Sequence, residues 1–395
     1  MHAKPLLLLS LLLFFERECT ASTANKFFVD QRPNILFLMV DDLGFNDVSW
    51  RDPRMQTPEL EKLAFDKHTV LLNQSYVNQE CSPTRSSFLT GIYPHHVGVQ
   101  DGVFQIMEPS GVPTWFKFLP EDLKTLGYGT YIVGKWHLGY CNESYLPTSR
   151  GFDKHFGIYQ AMADHYTHFS GPITRPMREL AGGSDFGLDF WYQNVAQWGY
   201  GDRYSTDIYV EKTKLFLEEH DKSDPFFLYL AFQAPHFPLQ VPKKYTMNCK
   251  QKTEDRRLLC VVYNYAQPEI GADMFGGGSG AAVRVGKYKL IVGNPGYFND
   301  WYEVDATDIN WRNADSYKPQ GPLDSKVFLF DLNADPTESN NLAEQLPEIT
   351  EIMLELLKEI GRSAMPSVHV SQADLRGHPS NFNNTLASGW CNYVD

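Results

Sequence analysis

Beyond Pro5–Phe15, this chain of 395 residues has no long apolar run. A membrane-crossing helix needs about 20 apolar residues, so no span is expected in the mature chain. An excess of positive charge is missing too, since 35 Lys and Arg stand against 48 Asp and Glu. Nucleic-acid affinity comes mainly from basic side chains neutralising phosphates, so no nucleic-acid partner is expected. An anionic ligand would have to be held by a local positive cluster working against the global field. No internal repeat or low-complexity array is apparent. The tract Gly276–Gly280 lacks the Lys-Ser/Thr of a P-loop and reads as a linker or turn.

What is present first suggests a compartment. Lys4, the apolar run and the small residues from Thr20 to Ala24 follow the order of a secretory signal, with cleavage expected between about Cys19 and Ala24. Residues 1–22 are therefore set aside as a signal peptide, and the destination is the lysosome or the exterior. Asn73, Asn142 and Asn383 each head an Asn-x-Ser/Thr sequon, compatible with that route. Six cysteines are present. If Cys19 leaves with the signal, an odd set remains at Cys81, Cys141, Cys249, Cys260 and Cys391, so one thiol has another fate.

The pattern along the chain is α/β. Asn34–Val40 is a continuous apolar run ended by Asp41 and Asp42, which predicts a strand buried on both faces with carboxylates at its C-terminal end. Gly129–Val133 and Pro225–Phe232 read as further strands, with helices over Glu59–Asp66 and Thr206–His220 between them. Such alternation predicts a mostly parallel sheet flanked by helices. The character changes after Val241, giving a large domain over 33–260, a junction over 261–281 and a smaller α+β domain over 282–395. In the last, Ala281–Val285 and Tyr288–Val292 form a hairpin around Gly286-Lys287, and Lys326–Phe330 is a third strand. Ile349, Ile352, Met353, Leu356, Leu357 and Ile360 repeat at helical spacing and predict a helix packed on that antiparallel sheet.

The most specific local signal is Cys81-Ser-Pro-Thr-Arg85. In a chain of this composition a Cys-x-Pro-x-Arg match is expected by chance about 0.01 times. Asp41-Asp42-Leu-Gly44, Gly134-Lys135-Trp136-His137-Leu-Gly139, Arg150-Gly-Phe-Asp153 and Ala-Pro-His236-Phe-Pro-Leu-Gln-Val-Pro242 accompany it. Taken singly, each of these last motifs is better read as a cap, a solvated cation or a loop histidine. Together and in this order they resemble the formylglycine-dependent type I sulfatases, nearest to their arylsulfatase B group.

The resemblance implies an alkaline-phosphatase-like fold and a sulfuric ester hydrolase. Cys81 would be oxidised to formylglycine by a formylglycine-generating enzyme during secretion, leaving four cysteines that pair in three possible ways. One hydroxyl of the hydrated aldehyde would attack sulfur, and the second would expel sulfate by re-forming the aldehyde. By the same resemblance, Asp41, Asp42 and the residue at 81 bind Ca2+, Lys135 and His236 hold the sulfate, Arg85 steadies the formylglycine, and His137 takes its proton. His236 and Lys135 are candidates to protonate the leaving alcohol. The expected substrate is an aryl sulfate or a sulfated carbohydrate, such as N-acetylgalactosamine 4-sulfate within a glycosaminoglycan. The chain departs from the family in one respect: it contains no Asp followed directly by Asn, the pair that completes the family's metal site.

Overall fold

The computed structural model describes residues 32–392 apart from 54, 73–74, 172–185, 247–280, 293–326 and 371. The expected signal peptide, nearly all of the junction, the glycine tract, Cys249 and Cys260 lie outside the described residues.

Among the described residues the large sheet has six strands: β1 (Ile35–Asp41), β2 (Gly129–Lys135), β3 (Lys154–Ile158), β4 (Trp191–Tyr192), β5 (Val195–Ala196) and β6 (Phe226–Pro235). Their spatial order is β1-β6-β2-β3-β4-β5. The first four in that order run parallel, and β4 and β5 are antiparallel additions. Alternation along the central strands sorts side chains to two cores. Ile132, Phe227, Tyr229 and Ala231 face one side with Leu89, Phe104 and Trp136. Tyr131, Val133, Leu228 and Leu230 face the other with Phe156 and Phe190. Helix α1 (Cys81–Thr90) contributes Leu89 to the first core, and α2 (Ser205–Glu219) contributes Ile208, Tyr209 and Phe216 to the second. Helices on both faces of a mainly parallel sheet match the expected fold class.

One expectation fails. Among the described residues β1 is not buried on both faces: it is the outer strand, with β6 as its one neighbour, and Leu36, Leu38 and Val40 are 51%, 48% and 38% exposed. Ile35, Phe37 and Met39 pack on the first core. An apolar run does not encode which lateral place a strand takes in a sheet.

The C-terminal strands β7 (Ala281–Val285), β8 (Tyr288–Val292) and β9 (Val327–Asp331) pair antiparallel in the order β9-β8-β7. Helix α3 (Pro347–Gly361) buries Met353 against Leu290 and Leu329. Packing divides the expected 282–395 unit. From Met365 the chain returns to the large core, where the Met365 and Val368 N–H groups donate to the His95 and Gly98 carbonyls at 2.7 and 2.8 Å. Leu386 and Trp390 join the first core, and Cys391 closes a disulfide with Cys141 across 250 positions. That is one of the pairs the cysteine count allowed.

Candidate active site

The parallel strands end on one side of the sheet, where open α/β folds characteristically place ligand sites. β2 ends in Gly134-Lys135, and the glycine is demanded by packing. Its φ is 114°, and a Cβ there would stand 1.8 Å from the Ala231 carbonyl oxygen. Close approach of β2 and β6 at this level brings Lys135 beside the end of β1.

Helix α1 begins at Cys81, so its unpaired N–H groups and positive dipole end face the strand ends. Cys81 and Arg85 lie one turn apart on the same face. Several bonds fasten the helix to the end of β2. Arg85, 1% exposed, donates through Nη1 to the Lys135 carbonyl at 2.9 Å and to the Tyr229 hydroxyl at 3.1 Å. Ser82 Oγ donates to the His137 carbonyl at 2.9 Å.

His137 is fully buried, with φ 59°, and the Trp136 and His137 N–H groups donate to the Ile158 and Tyr159 carbonyls, each at 3.0 Å. Its Nε2 lies 2.8 Å from the Phe104 carbonyl, which only accepts, so Nε2 carries the proton. Nδ1 is then a lone pair, and it faces Cys81 Sγ at 3.0 Å. Burial, reinforced by Lys135, holds the imidazole well below its ordinary pKa. His137 is therefore a neutral base aimed at position 81. Burial raises the Cys81 thiol, which outweighs the help from Lys135, so the thiol keeps its proton and is a poor nucleophile.

Asp41, at the end of β1, is 6% exposed. Its Oδ2 accepts from Lys135 Nζ at 2.5 Å, and its Oδ1 faces Arg85 Nη2 at 3.3 Å. Burial alone would raise this carboxyl, but Lys135, Arg85 and His236 outweigh it and hold it far below the carboxylate range. Asp42 and His236 form a looser pair at the rim. The Asp42 side chain is half exposed, and its Oδ2 lies 3.6 Å from His236 Nε2. His236 donates Nδ1–H to the Phe237 carbonyl at 2.7 Å. Burial first, then Lys135, lowers its pKa, so Nε2 gains a proton only as the medium turns acid.

The structure thus joins Asp41, Cys81, Arg85, Lys135 and His137 in one buried contact network, and pairs Asp42 with His236 beside it. Three contributors had no sequence reading of their own: the Tyr229 hydroxyl, the Phe104 carbonyl and the Ser82 hydroxyl. Ser82 lies inside the cysteine motif. Tyr229 is one aromatic residue in a strand full of them, and a carbonyl has no residue signature.

The described donors do not fit calcium. The ion takes 6–8 oxygens, whereas two carboxylates converge here and both Asp41 oxygens already face buried cations. Among the described residues, no group of three or more His, Cys, Asp or Glu side chains is placed to hold a metal.

Comparison with known proteins identifies the family. The sulfatase family profile matches residues 33–314. Arylsulfatase J of Mus musculus is 38% identical over 215 residues, which are 54% of this chain and 34% of that protein. N-acetylgalactosamine-6-sulfatase of Homo sapiens is 30% identical over 229 residues, 54% of this chain and 42% of that one. The chain thus spans between a third and a half of the length of these curated relatives. The crystal structure of Ps i-CgsB superposes with a TM-score of 0.61 over 85% of this chain and 94% of the other, at 19% identity, which speaks to the fold.

Proposed function

This chain belongs to the sulfatase family, and from that membership we propose that it hydrolyses sulfate esters of carbohydrates with a formylglycine made from Cys81 as nucleophile. The observation that carries the reading is the fixed tautomer of His137, whose Nδ1 lone pair stands 3.0 Å from Cys81 Sγ. Sγ marks where the oxygens of a hydrated aldehyde would stand. The thiol itself is protonated and inert, so the chemistry requires its conversion by a formylglycine-generating enzyme in the secretory pathway.

In the proposed reaction, one hydroxyl of the hydrate attacks sulfur, giving its proton to solvent water, and the bond from sulfur to the sugar oxygen breaks. Lys135 and the N-terminus of α1 stabilise the charge that moves onto the sulfate oxygens. The leaving oxygen takes a proton from His236 Nε2 or Lys135 Nζ. His137 Nδ1 then takes the proton of the second hydroxyl, the carbon–oxygen double bond re-forms, and sulfate departs. Water regenerates the hydrate. Arg85 keeps the helix start against the end of β2 throughout. Calcium in this family activates the diol and polarises sulfate; because the described donors fall short of its needs, none of these steps is routed through it.

The substrate we propose is an N-acetylgalactosamine sulfate within a glycosaminoglycan, the 4-sulfate first, in the lysosome or outside the cell. The name of the human relative, an N-acetylgalactosamine-6-sulfatase, supports the sugar class. The short donor set favours a second reading, a secreted binder of sulfated glycans that turns nothing over. Hydrolysis of an aryl sulfate by the full chain from a secretory host, with and without added calcium, separates the two. Turnover that vanishes in Cys81→Ser supports the hydrolase, and dependence on calcium would assign further ligands outside the described residues. Retention on a sulfated glycan without turnover supports the binder.

A further inference from the structure

The loop carrying His236 is bracketed by two glutamines that reach the same short segment, Ala163–His165. On the near side, Gln233 is 2% exposed, and its Nε2 donates to the Ala163 carbonyl at 2.8 Å and approaches His165 Nδ1 at 3.2 Å. Its Oε1 accepts from the Tyr209 hydroxyl at 3.3 Å. On the far side, Gln240 Nε2 donates to Asp164 Oδ2 at 2.6 Å, and its Oε1 accepts the His165 backbone N–H at 2.7 Å. That segment is itself fixed. Asp164 Oδ1 accepts from the Tyr166 and Thr167 N–H groups at 3.0 and 2.7 Å, and His165 Nδ1 accepts from Ser205 Oγ, at the start of α2, at 2.6 Å.

The His236 ring, by contrast, bonds to the carbonyl of its own neighbour Phe237, and its contact with the half-exposed Asp42 is loose, at 3.6 Å. That bond travels with the loop, so the ring's place in the pocket follows from where the loop is tied. We propose that Gln240 is a positioning residue for His236, tying the loop to Asp164 and the His165 backbone. The assignment rests on reading His236 as a sulfate-binding group. The residue type is specific, because the site asks one side chain for a donor and an acceptor at amide spacing. A glutamate would set a second carboxylate against Asp164, and an apolar residue would satisfy neither partner.

The test uses the full chain with histidine 13C-labelled in the ring, and reads two quantities: the His236 ring cross-peak and the Kd for inorganic sulfate. Gln240→Glu and the apolar Gln240→Met are each expected to displace the cross-peak and weaken sulfate binding by about 10- to 100-fold, the range of supporting-shell substitutions. Adding Asp164→Asn to Gln240→Glu restores a donor–acceptor pair and should bring Kd back to within about threefold of the parent. Because Gln240→Met adds no charge, it decides the matter should the glutamate variant fail to fold. A cross-peak at its original position with Kd within about twofold overturns the proposal, whatever happens to the melting temperature. If the parent protein binds no sulfate, the functional reading falls, while the cross-peak still decides the tether.

Discussion

β2 and β1 run in the same direction and end at the same pocket, yet they are built to different standards. Six of the seven β2 residues are buried, and the Lys135, Trp136 and His137 side chains at its end each meet a polar partner: Asp41, the Tyr145 carbonyl and Cys81. Among the described residues β1 has one neighbouring strand, and Leu36, Leu38 and Val40 on its other face are 38–51% exposed. The difference separates two jobs. The proposed nucleophile and its base sit among close neighbours, whereas Asp42 and His236 sit at the rim, where on the proposed function they would meet substrate.

That contrast is sharpened first by the two adjacent carboxylates. Asp41→Asn leaves Lys135 and Arg85 buried without their counter-ion and is expected to cost about 3–5 kcal/mol of unfolding free energy in urea. Asp42→Asn, half exposed, should cost under about 1 kcal/mol. Equal losses would erase the distinction between the two strand ends. Next come the strands themselves. Ile132→Ala on β2, at a fully buried position, is expected to cost about 2–5 kcal/mol, and Leu38→Ala on β1 under about 1 kcal/mol by the same denaturation assay.

A smaller effect distinguishes interior from edge by pH. His155 on β3 is fully buried, stacks on Tyr159 and has no hydrogen-bond partner among the described residues for either ring nitrogen. Burial lowers its pKa to about 3, and burial lowers that of His165 to about 4. Both contribute stability that is present above the unfolded value of 6.5 and lost as pH falls towards the folded values. Asp189 opposes them: burial raises it to about 6, so its contribution is present below 3.8 and lost as pH rises through 6. Of these three groups the histidines dominate, making the fold about 2–3 kcal/mol less stable near pH 5 than near pH 7, and His137, also held well below its ordinary value, acts in the same direction. Denaturant midpoints at the two pH values measure this, and His155→Phe should remove about 2 kcal/mol of the loss. A midpoint unchanged between them would show that the interior does not hold these groups neutral.

The sequence was most readable where structure is local. Apolar runs marked β2 and β6, turn residues delimited the β7–β8 hairpin to the residue, and spacing gave α3. The Cys81–Arg85 motif was legible because its members share one helical turn. What escaped were relations between distant segments. The run in β1 reads the same in the middle of a sheet as at its edge. The return of Met365–Cys391 to the first core has no period to announce it, and Cys141 is paired with Cys391 by packing that the count left open. Tyr229 and Gln240 matter through partners far away in sequence, so neither leaves a local pattern.

The chemistry assigned to the buried half of the pocket turns on one side chain. Peptide mass spectrometry of the protein secreted from a host that makes formylglycine, with hydrazide capture of aldehydes, reads it directly. The account predicts an aldehyde at position 81; an unaltered Cys81 thiol in the folded, secreted protein would contradict it.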